Sequence, residues 1–223
     1  MTFSLAGRCA RTGMLGAVVT TSSIAVGSRC PYARARVGAA LTQHRTDPRL
    51  GPLALDLLSR GYSATAAMQA IVALTPQPEW RQLALIDAGG RTASYTGASV
   101  DATKAAEAHG ADCVAIANIV RSTDVPAAMS RAFEADPRAP LAVRLLDALA
   151  AGDAAGGEFR PIISAALVIA HQEAFPYVDL RVDDHPHPIQ ELRRLWLAYA
   201  PEADPYVGRA NDPGAATYPA LPA

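Results

Sequence analysis

The chain has 223 residues, of which 50% are hydrophobic and 18% are charged, which is ordinary for one globular domain. Its formal net charge is −1 and neither sign forms a long block, so nucleic acid is not an expected partner. Cys9, Cys30 and Cys113 are widely spaced, which argues against a disulfide framework or a cysteine zinc site. No apolar run approaches the roughly 18 residues of a membrane helix. We expect a bacterial, cytoplasmic protein without cofactor or bound metal.

The first part of the chain is predicted to form a hairpin, a further strand and two helices. Residues 3–6 and 15–20 read as strands on either side of a turn at Arg11-Thr12-Gly13. Residues 36–42 carry the small side chains of a strand that packs closely against another layer. Apolar residues recur at helical spacing over residues 50–59, and Ser63 is placed to cap a second helix.

The middle of the chain is predicted to return to strands. Residues 81–87 and 91–96 flank Ala88-Gly89-Gly90, a tight-turn signal for a second hairpin. Residues 102–110 are rich in alanine and indicate a helix or a loop, whereas residues 113–120 read as a buried strand. Neither Gly89-Gly90 nor Gly156-Gly157 has the spacing of a phosphate loop, so no nucleotide is expected.

The last part is predicted to contain helices, two strands, another helix and a tail. The predicted helices are a segment capped by Ser122 or Thr123 and ending at 134, residues 140–151 stopped by Gly152, and residues 188–199; the strands are 162–170 and 177–183. Residues 1–200 form the predicted single domain. The proline-rich residues 201–223 are predicted to extend as a tail that wraps a neighbouring subunit or stays mobile, and a homo-oligomer is expected. Strand blocks separated by helix pairs indicate layered sheets covered by helices, an α+β fold.

Thr2 is the first candidate for chemistry, because it follows the initiator Met1 at the head of a predicted strand. If Met1 is removed, the Thr2 hydroxyl can act as nucleophile and its free α-amine, with an ordinary pKa of about 7.7 to 8.0, can accept the proton. The alternative is that Thr2 is an ordinary first residue of a strand.

Two further polar residues are candidates near Thr2. Ser22 belongs to a run of four hydroxyl residues at the end of the neighbouring strand. Its hydroxyl is a candidate proton relay, although such a run is more often a solvated strand end. Asn118 ends an apolar strand, so its amide is a candidate donor to an oxyanion, with strand termination as the alternative.

Cys30 is the alternative nucleophile. Arg29 precedes it and is expected to lower the pKa of the thiol, and His44 is the candidate base. A lone cysteine otherwise serves as a small buried hydrophobic residue.

Asp183, Asp184 and His185 could hold a metal ion for metal-assisted hydrolysis, but a connector in which Asp184 caps the following helix is favoured, and no metal is expected. Arg160 and Arg181 are candidates for binding a substrate carboxylate, with ion pairing at the surface as the alternative.

Several stretches of the chain are specific enough to compare with known families: MTFSL at 1–5, AVGSRCP at 25–31, VGAALTQ at 37–43, TDPRLG at 46–51, GG at 156–157, SAAL at 164–167 and LRVDDHP at 180–186. Together they resemble the bacterial domain of unknown function family 1028. Just before the AVG stretch, where the family is expected to place a Lys or His, this chain has Ser22.

The resemblance implies an N-terminal-nucleophile hydrolase-like fold, a four-layer αββα sandwich of two stacked antiparallel sheets flanked by helices. It implies hydrolysis of an amide-like C–N bond and does not supply a substrate. Our leading hypothesis is an amidohydrolase that acts on a small amide, lactam, imide or ureide. We expect Thr2, Ser22, Cys30 and Asn118 in the catalytic site, and Gln43, His44, Arg160 and Arg181 around the substrate. The alternatives are a Cys30-dependent hydrolase and a non-catalytic ligand-binding or assembly protein on the same scaffold.

Overall fold

The computed structural model describes residues 1–214, which form ten β-strands and five α-helices. The strands are β1 (Thr2–Arg8), β2 (Leu15–Thr21), β3 (Pro31–Arg34), β4 (Gly38–His44), β5 (Arg81–Asp87), β6 (Thr92–Thr96), β7 (Ala105–Gly110), β8 (Cys113–Asn118), β9 (Ser164–Ala170) and β10 (Val178–Val182). The helices are α1 (Leu50–Ser59), α2 (Ala64–Leu74), α3 (Val125–Glu134), α4 (Leu141–Ala154) and α5 (Pro188–Asn211). No helix among residues 1–214 is long and apolar enough to cross a membrane.

The strands form two antiparallel sheets. The six-stranded sheet has the order β10-β9-β2-β1-β8-β7, and the four-stranded sheet has the order β3-β4-β5-β6. The β1–β2 hairpin lies at the centre of the larger sheet, with β1 pairing with both β2 and β8. The N-terminal end of the chain therefore begins inside the sheet rather than at its edge.

Each sheet buries one face against helices and packs against the other sheet. Phe3 and Leu5 of β1 lie in a cluster with Phe133 of α3, Leu145 of α4 and Trp196 of α5. Side chains of α1 and α2 cover the four-stranded sheet in a second cluster that includes Leu55, Met68 and Leu83. A third cluster joins the two sheets, with Ala6 and Ile116 from the larger sheet and Leu41 and Ile86 from the smaller one. Because side chains alternate along a strand, one residue faces helices and the next faces the other sheet.

The hairpins and the first two helices agree with the sequence pattern. The α1 helix spans residues 50–59, and the Ser63 hydroxyl accepts a hydrogen bond from the backbone N–H of Ala66 at the start of α2. The third predicted strand begins two residues late, at Gly38, and ends at His44. The short strand β3 before it was missed. A four-residue strand beginning with proline carries too little alternation to be recognised.

The predictions for residues 102–110 and for the end of the α4 helix are wrong. Residues 105–110 form the edge strand β7 rather than a helix or loop, because pairing with β8 overrides the helical propensity of alanine. Gly152 does not stop α4, which continues to Ala154. A Cβ atom at Gly152 would lie 2.8 Å from Met129 Cγ and 3.0 Å from Phe3 Cδ2, so this glycine permits close packing inside the helix.

The predicted extended tail is wrong for residues 201–211, which continue α5 despite Pro201 and Pro205. Tertiary contacts hold this last part of the helix: the Tyr177 hydroxyl donates to Asp204 at 2.9 Å, and Ala203 is buried. Residues 215–223 lie outside the described part of the chain. Asp184 does not cap α5, whose N-cap is His187 without a side-chain cap.

Candidate active site at the start of the first strand

Thr2 occupies a protected position at the beginning of β1. It pairs with Asn118 of β8, and Phe3 pairs with Thr20 of β2, which brings Thr21 alongside Thr2. Only 7% of the Thr2 surface is exposed. The hydroxyl therefore lies in an enclosed polar environment supplied by both neighbouring strands.

The hydroxyls of Thr2 and Thr21 converge on one carbonyl oxygen. Thr21 Oγ1 donates to the Met1 carbonyl oxygen at 2.6 Å, and Thr2 Oγ1 also donates to it. The two hydroxyl oxygens are 3.4 Å apart. Removal of Met1 would leave two neighbouring hydroxyls without their common acceptor.

Glu158 brings a buried carboxyl group to the same place. It follows Gly156 and Gly157, whose backbone φ angles are positive, and forms an isolated bridge with Val120. Its Oε2 accepts the backbone N–H of Ser22 at 3.0 Å, whereas its Oε1 has no hydrogen-bond partner among the described residues. The residue is 5% exposed. A buried carboxylate oxygen without a donor is rare in folded proteins and marks a position of interest.

Electrostatics connect Glu158 with the chain terminus. Burial lowers the pKa of the Met1 α-amine, and the charge of Arg160 adds to this, whereas the charge of Glu158 opposes it. Burial also raises the pKa of Glu158, against the opposing effects of the Ser22 N–H donor and the charge of the terminal amine. Burial thus disfavours the charged form of both groups, and titratable groups perturbed in this way are concentrated at functional sites.

An open cleft of about 340 Å³ begins at Glu158. It is lined by Arg121, Asp153, Gly156, Glu158, Arg160, Pro161, Ile162, Pro186, His187 and Gln190. Glu158 therefore contacts the end of β2 beside Thr2 and also lines a polar cavity large enough for a small molecule.

The predicted roles of Ser22 and Asn118 need revision. The Ser22 backbone N–H holds Glu158, while its hydroxyl is 4.0 Å from Met1 Sδ; the hydroxyl that reaches the Met1 carbonyl belongs to Thr21. Strand alternation and the β1–β2 register select Thr21. Asn118 lies opposite Thr2 as expected, but its amide nitrogen donates to Gln82 Oε1 at 3.0 Å, and its Oδ1 has no partner among the described residues.

Cys30 is not activated in the expected way. Burial raises the pKa of its thiol to about 11, which outweighs the lowering by Arg29, so the expected decrease is wrong. The thiol lies 3.9 Å from the Thr46 hydroxyl. His44 does not serve as its base, since the ring Nδ1 is 2.9 Å from the Trp80 carbonyl oxygen and the ring stacks on Trp80.

Gln43 is structural rather than substrate-binding. It is fully buried between the sheets, where its Oε1 accepts from Ser4 Oγ at 2.7 Å and its Nε2 donates to Gln82 Oε1 at 2.8 Å. These hydrogen bonds within the protein leave Gln43 no exposed group with which to contact a substrate.

The two candidate arginines differ in position. Arg160 lines the cleft together with Glu158, and its role in substrate binding stays a prediction. Arg181 instead pairs with Asp179, at 3.1 and 3.2 Å, and packs its side chain near Gly27. Arg181 therefore has the alternative role, that of an ion-pairing residue at the surface.

The metal alternative finds no support in residues 1–214, which contain no group of three histidine, cysteine or acidic side chains placed to hold an ion. His185 Nδ1 accepts the backbone N–H of His187 at 3.0 Å, so this segment serves as a connector between β10 and α5.

Sequence reasoning missed Glu158 and Arg121 and named Ser22 in place of Thr21. The signal for Glu158 was its position directly after Gly156-Gly157, where a sharp backbone turn brings an acidic residue back to the sheet. No comparable signal exists for Arg121, which reaches the cleft from the loop after β8.

Comparisons with known proteins identify the family of this chain. The model of a family of unknown function, DUF1028, matches residues 2–192. A crystal structure of protein SPO2555 from Silicibacter pomeroyi, described as DUF1028, matches with a TM-score of 0.82 and 29% identity over 89% of each chain. Anbu, an ancestral beta-subunit from Yersinia bercovieri, matches with a TM-score of 0.41 and 11% identity over 99% of this chain and 100% of that one. No curated protein matches. The chain belongs to the DUF1028 family.

Proposed function

We propose that this protein is an amidohydrolase that cleaves a C–N bond of a small amide, lactam, imide or ureide with Thr2 as its N-terminal nucleophile. The scaffold of this proposal is a four-layer αββα sandwich of the N-terminal-nucleophile hydrolase type. Two antiparallel sheets packed on each other and covered by helices support it.

One observation carries the proposal: at the buried start of β1, the Thr2 and Thr21 hydroxyls meet at a single carbonyl oxygen. Loss of Met1 frees both hydroxyls for an acyl substrate: Thr2 Oγ1 is the nucleophile, and Thr21 Oγ1, 3.4 Å away, is a hydrogen-bond donor to the substrate carbonyl oxygen. Donors aimed at the oxygen that becomes negatively charged stabilise the transition state of acyl transfer.

The reaction requires the α-amine of Thr2, which is freed by loss of Met1. Thr2 Oγ1 forms a bond to the substrate carbonyl carbon, and its proton passes to the α-amine. The C–N bond then breaks, and the amine returns the proton to the leaving nitrogen. Water hydrolyses the resulting Thr2 ester and regenerates the hydroxyl. Burial lowers the pKa of the Met1 amine, and the same enclosure would keep the Thr2 amine neutral and able to accept the proton.

The proposal is tested with protein whose first residue is established as Thr2 by intact mass, assayed against a panel of small amides, lactams, imides and ureides. Thr2→Ala should lower turnover by at least about 10³-fold with an unchanged thermal midpoint, since it removes only the nucleophile. Thr2→Ser keeps a hydroxyl and should retain measurable turnover. Full activity in a folded Thr2→Ala protein would refute the proposal.

Thr21 is proposed as the hydrogen-bond donor to the carbonyl oxygen. Thr21→Val should lower kcat by about 10²-fold with little change in KM, because the donor acts chiefly as charge develops on the oxygen. Thr21→Ser keeps the hydroxyl and should restore much of kcat. Equal kcat values for the valine and serine variants would contradict this role.

The second candidate is a non-catalytic binding protein on the same scaffold. It is favoured by the Met1 carbonyl, which satisfies both hydroxyls when Met1 remains in place. Intact mass of the native protein separates the two functions: stable retention of Met1 supports binding without chemistry, and its loss supports the hydrolase.

A further inference from the structure

The cleft beside the candidate active site contains two arginines whose charges are not neutralised. No carboxylate among the described residues lies within ion-pair distance of Arg121 or Arg160. Arg121 donates to the Phe159 carbonyl oxygen at 3.1 Å, which leaves most of its guanidinium donors available. By contrast, Arg8, Arg34, Arg91 and Arg193 each pair with an aspartate at 2.6 to 2.8 Å.

Two acidic residues, Asp153 and Glu158, line the same cleft, but neither forms an ion pair with Arg121 or Arg160. Burial raises the pKa of Asp153, and burial also raises the pKa of Glu158. Arginine remains charged at every accessible pH. An anion that enters the cleft therefore meets two guanidinium groups without a carboxylate partner among the described residues.

At the inner end of the cleft, Glu158 favours a ligand with a hydrogen-bond donor rather than an anion. Its Oε1 is buried and lacks a hydrogen-bond donor among the described residues. Desolvating an acceptor without a partner is costly, and a ligand that supplies an N–H group at this point removes the cost. A complementary ligand therefore carries an N–H donor at one end and an anionic group at the other.

We propose that the cleft formed by Glu158, Arg160, Arg121, Asp153 and His187 binds the carboxylate end of the substrate, and that the substrates are small amides bearing a carboxylate. The guanidinium of Arg160, with that of Arg121, binds the carboxylate, while Glu158 accepts a hydrogen bond from the amide nitrogen. This inference rests on the proposed function for the identity of the reacting bond. The binding preference itself does not depend on hydrolysis.

The test uses equilibrium binding to the Thr2→Ala protein, which cannot consume its ligand by the proposed reaction. The probes are malonamate, succinamate and glutaramate, each compared with the neutral diamide of the same chain length in isothermal titration calorimetry. At least one monoamide should bind about ten-fold more tightly than its diamide, corresponding to about 1.4 kcal/mol. Equal affinities, or no measurable binding by all three pairs, would overturn the inference.

Substitutions of arginine test whether the cleft causes the preference for monoamides over diamides. Arg160→Gln should abolish the difference between monoamide and diamide, and Arg160→Lys should retain part of it because the charge remains. Arg138→Gln is the matched control, since Arg138 has an exposed side chain beside Asp136 and does not line the cleft. A preference that survives in Arg160→Gln, or is lost equally in Arg138→Gln, would contradict the proposed site.

Failure of this inference can be distinguished from failure of the proposed function. Hydrolysis of neutral amides that depends on Thr2, without preferential monoamide binding, overturns the carboxylate site and leaves the nucleophile assignment standing. If the protein binds monoamides preferentially through Arg160 while its Thr2→Ala variant keeps full activity, the carboxylate site stands and the nucleophile assignment is overturned.

Discussion

The two ends of the interface between the sheets differ in chemistry. At one end, Ala6, Ala39, Ile86 and Val114 form an apolar contact. At the other end, the same strands carry polar residues on the same faces: Thr2 and Ser4 on β1, Gln43 on β4, Gln82 on β5 and Asn118 on β8. The change from apolar to polar occurs within about two alternating positions on each strand.

This difference shows where the fold leaves buried hydrogen-bond acceptors without a donor. Most of the polar end is internally paired, since Gln82 donates to the Ala117 carbonyl at 3.0 Å and accepts from both Gln43 and Asn118. The exceptions are Asn118 Oδ1 and Glu158 Oε1, which lack partners among the described residues. Both residues adjoin the start of the chain, so the unpaired acceptors are concentrated where the proposed chemistry occurs.

The largest expected effect is at the apolar end. Leu41→Ala should lower the free energy of unfolding by about 2–5 kcal/mol, because Leu41 is 1% exposed and its truncation leaves a cavity between the sheets. Urea denaturation at neutral pH measures the change. Leu197→Ala, which truncates a leucine that is 67% exposed, is the control. A loss below about 1 kcal/mol would mean that the apolar end does not hold the sheets together.

A smaller loss is expected at the polar end. Gln43→Leu should lower the free energy of unfolding by about 1–3 kcal/mol, because it removes the acceptor of the Ser4 hydroxyl and one donor to Gln82. Urea denaturation at neutral pH measures this change in the free energy of unfolding as well. If the variant were as stable as the wild type, the polar network would not contribute to the fold and the contrast between the two ends would need another explanation.

The smallest effect has the opposite sign and depends on pH. Burial raises the folded-state pKa of Glu158, so folding disfavours the ionised carboxylate. Its contribution to stability is fully present below the ordinary glutamate pKa of about 4.3 and is lost as the pH rises through the raised folded value. Glu158→Gln should therefore be more stable than the wild type at pH 8 by about 1 kcal/mol, and the difference should vanish near pH 4.

The exposed residue Glu107 supplies the control, because Glu107→Gln should show no such pH dependence. Denaturation with urea at several pH values compares the two variants. If the wild type were more stable than Glu158→Gln at pH 8, the ionised Glu158 carboxylate would be stabilised in the folded protein although its Oε1 has no donor among the described residues.

Local patterns predicted the hairpins and most of the helices. The β1–β2 and β5–β6 hairpins have turn residues between their strands, α1 is followed by Gly61 with a positive φ angle, and α2 is capped by Ser63. Predictions failed where long-range contacts override local preference. Residues 105–110 form a strand because β8 pairs with them, and α5 continues past two prolines because residues 203 and 204 contact the rest of the protein.

The sequence by itself determined the position of Thr2 behind Met1 at the head of a strand, since both facts are local. Only the tertiary structure decided which groups surround it. The register of β1 and β2 selected Thr21, the turn at Gly156-Gly157 delivered Glu158, and burial set the pKa directions of Glu158 and Cys30. Hydrogen bonding and burial depend on residues far apart in the chain, so spacing alone carries no information about them.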